Sequence, residues 1–253
     1  MSTLSAAAAR GQRDSPRRVG HKGADRLVPG NTLESFEAAL AAGVDMIEFD
    51  VLCERAGGEG RLLLAHDPEA VRGDATVTLD AGLAHLAGSA FAGVEFDVDL
   101  KLPGYELRVL QALRRAGLAD RSLVSSTYPE SLDRLRAADP AIRLGWSVPR
   151  ASRDWTARRL TLLPALAVLA TYRRRLPSMA HRALSAGRCD AIMAHWRLVT
   201  PPLVRAVRSG GGELYAWTVD DAQVIAALTG LGVDGIITND PRLFATVVPG
   251  PRR

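Results

Sequence analysis

Apolar positions along this chain follow two periods. Short runs at period two, the spacing of a half-buried strand, are separated by stretches at period 3.6, the spacing of an amphipathic helix. The strand-like runs fall over 18–21, 46–52, 61–65, 94–100, 122–126, 142–148, 191–195, 213–219 and 235–238. Helical spacing covers 33–42, 79–86, 105–116, 129–138, 201–209, 221–229 and 241–247. The punctuation agrees with this reading. Asn31 or Thr32 stands at the first helix N-cap, Gly43 and Gly117 follow helices, and Pro129 opens one. Strands alternating with helices predict parallel βαβ units. About eight such units in 253 residues predict an α/β fold, a single-domain TIM (β/α)8 barrel, in preference to an open doubly wound sheet. The barrel is expected over 17–250, a flexible N-terminal tail over 1–16, and a basic and apolar segment within the barrel at 150–175.

Composition narrows the function classes. An apolar content of 47% suits a sizeable core, and a net charge of +4 suits an anionic substrate or surface. Aromatic residues make up 5%, too few for the basic and aromatic stripe of a nucleic-acid binder, so no nucleic-acid partner is expected. Cys53 and Cys189 are far apart and have no metal-ligand spacing, which fits a reducing compartment. The first 18 residues lack the apolar core of a secretory signal, and no apolar run reaches bilayer length. The expectation is a cytoplasmic protein, with peripheral membrane contact through 150–175. There, arginine clusters flank about twelve apolar residues, and Leu160, Leu163, Leu166, Val168 and Leu169 could form the apolar side of an interfacial helix. An ordinary barrel helix with arginines at its ends is the competing reading.

In a TIM barrel, chemistry gathers at the C-terminal ends of the strands. His21 ends the first predicted strand, Glu48 and Asp50 lie on the second, and His66 follows the 61–65 run. Asp99 and Lys101 end the next barrel strand, and Trp217 lies on the seventh. Residues two apart on a strand share a face, so Glu48 and Asp50 point one way, as do Asp97, Asp99 and Lys101. Carboxylates crowded on one face repel unless a cation lies among them. Three of them suit one hard divalent cation, Mg²⁺ or Ca²⁺. Two histidines beside a phosphate can divide proton acceptance from proton donation. His85 and His181 are read as structural, while His195, ending a strand, is a weaker candidate for the mouth. Lys22 and Lys101 are the only lysines among 32 basic residues, which marks both as positions where an ammonium is needed.

Five separated stretches resemble the glycerophosphodiester phosphodiesterase family: GHKGADRLVPGNTLESFEAALAAGVDMIEFDV, LLLAHDP, FDVDLKLPG, LYAWTVDD and LGVDGIITNDP. Their order matches, and together they span nearly the whole chain. The resemblance implies a TIM barrel with one divalent cation held by Glu48, Asp50 and Asp99. It also implies a catalytic pair, His21 and His66, a phosphate contact at Lys101, and an aromatic wall at Trp217. The implied reaction releases an alcohol and glycerol phosphate from a glycerophosphodiester.

Three departures from the family pattern stand out. Lys22 occupies a position where the family usually has arginine, and Gly30 one where it often has glutamate. We read these as linked: an arginine–glutamate pair replaced by a freer lysine that helps Lys101 hold the phosphate. The third is Asp99 in place of a usual glutamate, whose shorter arm favours Mg²⁺ over Ca²⁺. The Asp-x-Lys form is similar to the spider-venom sphingomyelinase D relatives. It brings in a second activity, lysophospholipase D-type cleavage of a lysophospholipid. A catalytically inactive phosphodiester-binding barrel is the alternative of another class.

Overall fold

The computed structural model of the chain describes residues 15–55, 57–69, 71, 76–150 and 162–246, with the backbone alone over 162–169. In chain order the strands are β1 (Arg17–Gly20), β2 (Met46–Arg55), β3 (Glu59–Leu64), β4 (Glu95–Leu100), β5 (Ser122–Ser126), β6 (Arg143–Val148), β7 (Ala191–His195), β8 (Glu213–Trp217) and β9 (Gly235–Thr238). The helices are α1 (Leu33–Ala41), α2 (Leu79–Leu86), α3 (Glu106–Arg115), α4 (Pro129–Ala138), α5 (Leu162–Ser185), α6 (Pro201–Ser209), α7 (Ala222–Leu231) and α8 (Leu243–Thr246). Eight strands run parallel, and β1 pairs with both β2 and β9, which closes the ring. This is the TIM barrel that the alternation of periods predicts.

Only β3 lies outside the ring. The run at 61–65 is the return arm of a hairpin, antiparallel to the outer end of β2 from Val51 to Arg55. The arm is docked, not free. Arg108 on α3 donates to the carbonyls of Gly58 at 2.5 Å and Gly60 at 2.6 Å. Tyr105 Oη donates to the Val51 carbonyl at 2.7 Å. Gly58 sits against the Gly104 carbonyl so closely that a Cβ there would collide. Replacing Arg108 with alanine should loosen the arm and shift the residues beyond it. The expected result is about a tenfold loss of turnover, the scale of a sub-ångström to ångström misplacement, with faster amide exchange at 57–62. Unchanged exchange there would show that the brace is unimportant.

The barrel interior is filled in layers. At its lower end Arg17, Glu95, Arg143 and Glu213 open alternate strands and meet inside. Arg17 pairs with Glu95 at 3.2 Å and Glu213 at 3.0 Å, and Arg143 pairs with the same two at 3.1 and 2.7 Å. Above this ionic layer lie Val19, Met46, Leu123, Ala191 and Tyr215, all buried. The Tyr215 ring fits because its neighbour on β9 is Gly235, where any side chain would strike it. Polar side chains return only at the upper mouth.

α5 occupies the place of an ordinary barrel helix and runs for 24 residues. Leu176, Ala180 and Leu184 are buried against the core. The five apolar residues proposed for a membrane-facing side lie outside the residues whose side chains are described. So do residues 1–14 of the expected tail and 247–250 at the expected barrel end. Among the described residues no helix is long and apolar enough to cross a membrane. Cys53 and Cys189 are both buried and free.

Candidate active site

His21 lies just past β1, where its ring is held by a chain of contacts from the far end of the sequence. Its Nδ1 lies 2.5 Å from Asn239 Oδ1. The Asn239 amide has a fixed direction, because its Nδ2 donates to Asp220 Oδ2 at 2.6 Å and its backbone N–H to Asp220 Oδ1 at 2.9 Å. An ionised carboxylate only accepts, so the amide oxygen is the end that faces His21. His21 Nδ1 therefore carries the hydrogen, and in the neutral ring Nε2 keeps the lone pair. That Nε2 lies 3.8 Å from Glu48 Oε2. Burial holds His21 below its ordinary value of 6.5, against the opposing pull of Asp50.

The carboxylates come from β2 and β4, whose register places Glu48 beside Asp97 and Asp50 beside Asp99. One oxygen from each of Glu48, Asp50 and Asp99 lies within 4.8 Å of the others. Burial, then the charge of Asp50, pushes Glu48 well above the usual carboxylate range. Burial opposes ionisation of Asp50 too, but Lys101, His21 and Asn31 hold it well below that range. Asp97 lies one step deeper, where burial and then Asp99 push it up to about 8, while Ser125 Oγ donates to it at 2.7 Å.

Three carboxylates thus face one ammonium. Lys101 Nζ sits 2.6 Å from Asp50 Oδ1 and 2.5 Å from Asp99 Oδ2. Asp50 Oδ1 is buried and has no hydrogen-bond partner beyond that ion pair. The charge deficit and the all-oxygen donor set fit a hard divalent cation.

The loop after β1 is shaped around these groups. Lys22 takes the left-handed conformation at φ 49, which turns its N–H onto Glu48 Oε2 at 2.8 Å. Asn31 does the same at φ 59 and clasps Asp50, donating to Oδ2 and accepting from the backbone N–H, both at 3.0 Å. The helix cap itself is Thr32, in a reciprocal box with Ser35. Asn31, one of two cap candidates in the sequence, is thereby free to position a carboxylate. The Lys22 ammonium lies 3.8 Å from Asp25. Asp25 also accepts from the Gly30 N–H at 2.8 Å, and a Cβ at Gly30 would press on both Asp25 and Lys22.

A cavity of about 710 Å³ opens over the mouth. His21, Glu48, His66, Asp99, Lys101 and Trp217 all line it. Asp50 is buried beneath the lining, and Lys22 stands outside it. His66 follows the hairpin arm, half exposed, with Nδ1 3.6 Å from Asp67. Trp217 is pinned as a wall, its Nε1 donating to the Met193 carbonyl at 2.8 Å and its ring edge-on to His195 at 5.3 Å. His195 stays outside the cavity lining. Sequence reasoning missed Asn239, Asp220 and Asn31 as positioning groups, and Arg150 and Tyr128 on the opposite rim.

The family model for the glycerophosphoryl diester phosphodiesterase family matches residues 21–87 and 89–243. The chain belongs to that family. Its named members are phosphoric diester hydrolases. A glycerophosphodiester phosphodiesterase of Caldanaerobacter subterraneus subsp. tengcongensis is 27% identical, over 91% of this chain and 96% of that protein. Solved structures share the fold, two of them as follows. A glycerophosphodiester phosphodiesterase from Parabacteroides distasonis superimposes with a TM-score of 0.71 at 17% identity, covering 93% of this chain and 100% of that one. An Oleispira antarctica phosphodiesterase in complex with the product sn-glycerol-3-phosphate gives 0.70 at 17% identity, covering 93% and 98%. The family assignment and the closed barrel therefore agree with the motif reading.

Proposed function

We propose that this chain hydrolyses glycerophosphodiesters to an alcohol and sn-glycerol 3-phosphate, at the cavity lined by His21, His66 and Lys101. The observation that carries the reading is the convergence of a tautomer-locked histidine, three carboxylates and one ammonium at a barrel mouth. Glu48, Asp50 and Asp99 would hold one divalent cation, with Mg²⁺ preferred over Ca²⁺ because Asp99 has the shorter arm. When bound there, such an ion supplies Lewis-acid stabilisation of phosphate charge.

The chain's own groups do the rest. Lys101 has three N–H donors and spends two on Asp50 and Asp99, leaving one for a phosphate oxygen. Lys22, outside the lining, adds positive charge nearby. His21 offers the Nε2 lone pair as proton acceptor, to water or to a substrate hydroxyl. His66, on the separate arm, would protonate the leaving oxygen. Trp217 walls the cavity against the organic part of the diester. The product-bound structure of the Oleispira antarctica protein supports a small phosphodiester as substrate.

A second reading is lysophospholipase D-type cleavage, for which an open cavity of about 710 Å³ has room. It would draw on membrane contact through 150–175, which flotation with anionic vesicles tests. One paired assay separates the two: glycerol phosphate from glycerophosphocholine against choline from lysophosphatidylcholine. The expected result is the first product, with Mg²⁺ above Ca²⁺ and at least a hundredfold loss (about 3 kcal/mol) on chelation. No product from either diester would favour an inactive binding barrel and overturn the proposal.

A further inference from the structure

The cavity has a second charged feature, which the reaction as described does not use. Arg150 follows β6 and Tyr128 follows β5, and both line the cavity. In the ring order β1-β2-β4-β5-β6-β7-β8-β9, β6 stands four strands from β1 in either direction. Arg150 is therefore diametrically across the mouth from His21. Its guanidinium carbon lies 4.0 Å over the centre of the Tyr128 ring. Among the described residues no carboxylate pairs with it. Among the described residues no arginine that carries an ion pair lines the cavity.

Packing against a ring face holds the guanidinium in place and spends none of its N–H donors. The result is a pre-positioned fork, unpaired among the described residues, that lines the reaction cavity. A fork of that kind suits a carboxylate or phosphate, which it can bind through two parallel hydrogen bonds. A quaternary ammonium in the same place would meet like charge, and the aromatic face that could have received it is already covered by Arg150. A phosphodiester held by Lys101 on the β4 side has one ester arm that can reach across the mouth to the β5–β6 rim.

We infer that Arg150, steadied by Tyr128, is a specificity residue that selects diesters whose leaving alcohol carries a second anionic group, a carboxylate or a phosphate. This rests on the glycerophosphodiesterase reading above. The test compares kcat/KM for glycerophosphoserine and glycerophosphoinositol 4-phosphate with that for glycerophosphoethanolamine, which lacks the extra anion. The native enzyme should prefer at least one of the anionic diesters over glycerophosphoethanolamine. Arg150→Gln should lower that preference about tenfold or more, the scale of one lost charged hydrogen bond, chiefly through KM. Arg150→Lys should recover part of it, because charge returns without the fork, and Tyr128→Leu should weaken it less than Arg150→Gln. Activity on glycerophosphoethanolamine with both preferences unmoved by Arg150→Gln would overturn this inference and leave the general reading intact. A native preference for glycerophosphoethanolamine over both anionic diesters would also overturn it. No activity on any of the three would instead defeat the glycerophosphodiesterase reading itself.

Discussion

Replacing His21 with alanine lowers kcat by roughly 10²–10⁴-fold, the range of a lost general acid or base, and leaves the unfolding transition close to that of the native chain. The size of the effect follows from how completely this ring is specified. Asp220 orients Asn239, Asn239 takes the Nδ1 hydrogen, and Nε2 is left facing the carboxylates. Among the described residues the only other imidazole that lines the cavity is His66, on the separate arm. Asp220→Asn is the informative companion. It can turn the Asn239 amide over, so that nitrogen faces His21 and the wrong tautomer is favoured. An intermediate loss in kcat with little change in KM is expected, together with a shifted imidazole ¹⁵N signature in NMR. A fall of less than tenfold in His21→Ala would remove the histidine from the reaction.

The second large effect is on stability. Arg143→Met should cost about 3 kcal/mol, the lower end for deleting one partner of a buried ion pair, or roughly 6–12 °C in Tm for a chain of this size. The deletion leaves Glu95 and Glu213 sharing only Arg17 at the base of the barrel. Burial would raise Glu213, yet Arg143 and Arg17 hold it below its ordinary value of 4.5. The sign of the pH dependence follows. A carboxylate depressed in the folded state contributes stability that is present above its unfolded value and is lost as pH falls through the folded value. The gap between native and Arg143→Met should therefore be full at pH 6–8 and narrow below about pH 4.5. A gap that is constant down to pH 3, followed by urea unfolding, would assign the loss to packing instead of charge.

The parts of the site legible in the sequence are those that obey short periods. Glu48 with Asp50, and Asp97 with Asp99 and Lys101, declare a shared face through spacing alone. The hydrogen-bond chain to His21 is different, since Asn239 lies 218 positions away and only closure of the ring brings it near. A signal was present nonetheless, in polar residues at the C-terminal end of the last strand and in the paired aspartates after Trp217. The ionic base could also have been found. Arg17, Glu95, Arg143 and Glu213 each lie four positions before a cavity residue on the same strand or at its end: His21, Asp99, Ser147 and Trp217. Two steps of period two keep the same face, so charges at those positions must point into the barrel. α5 is hard to read because Pro164, Pro177 and the arginine clusters break its apolar pattern, although its buried residues keep a fourfold spacing. The run at 61–65 stands outside the count that puts Trp217 on the seventh strand, but its antiparallel pairing with β2 is not legible, because a strand signal carries no information about its partner.

The arm divides the proposed proton-transfer pair between two inheritances. His21 belongs to the closed ring, where moving it would mean rebuilding β9 and the loop behind it. His66 follows a hairpin arm outside the ring, held by its pairing with β2, by the buried Leu63, Leu64 and Ala65, and by Arg108. Insertions or substitutions in that hairpin can re-aim the second histidine toward leaving groups of different length while the ring and its carboxylates stay untouched. In this architecture the two halves of the proposed proton transfer stand on separate supports, so one can be altered without rebuilding the other.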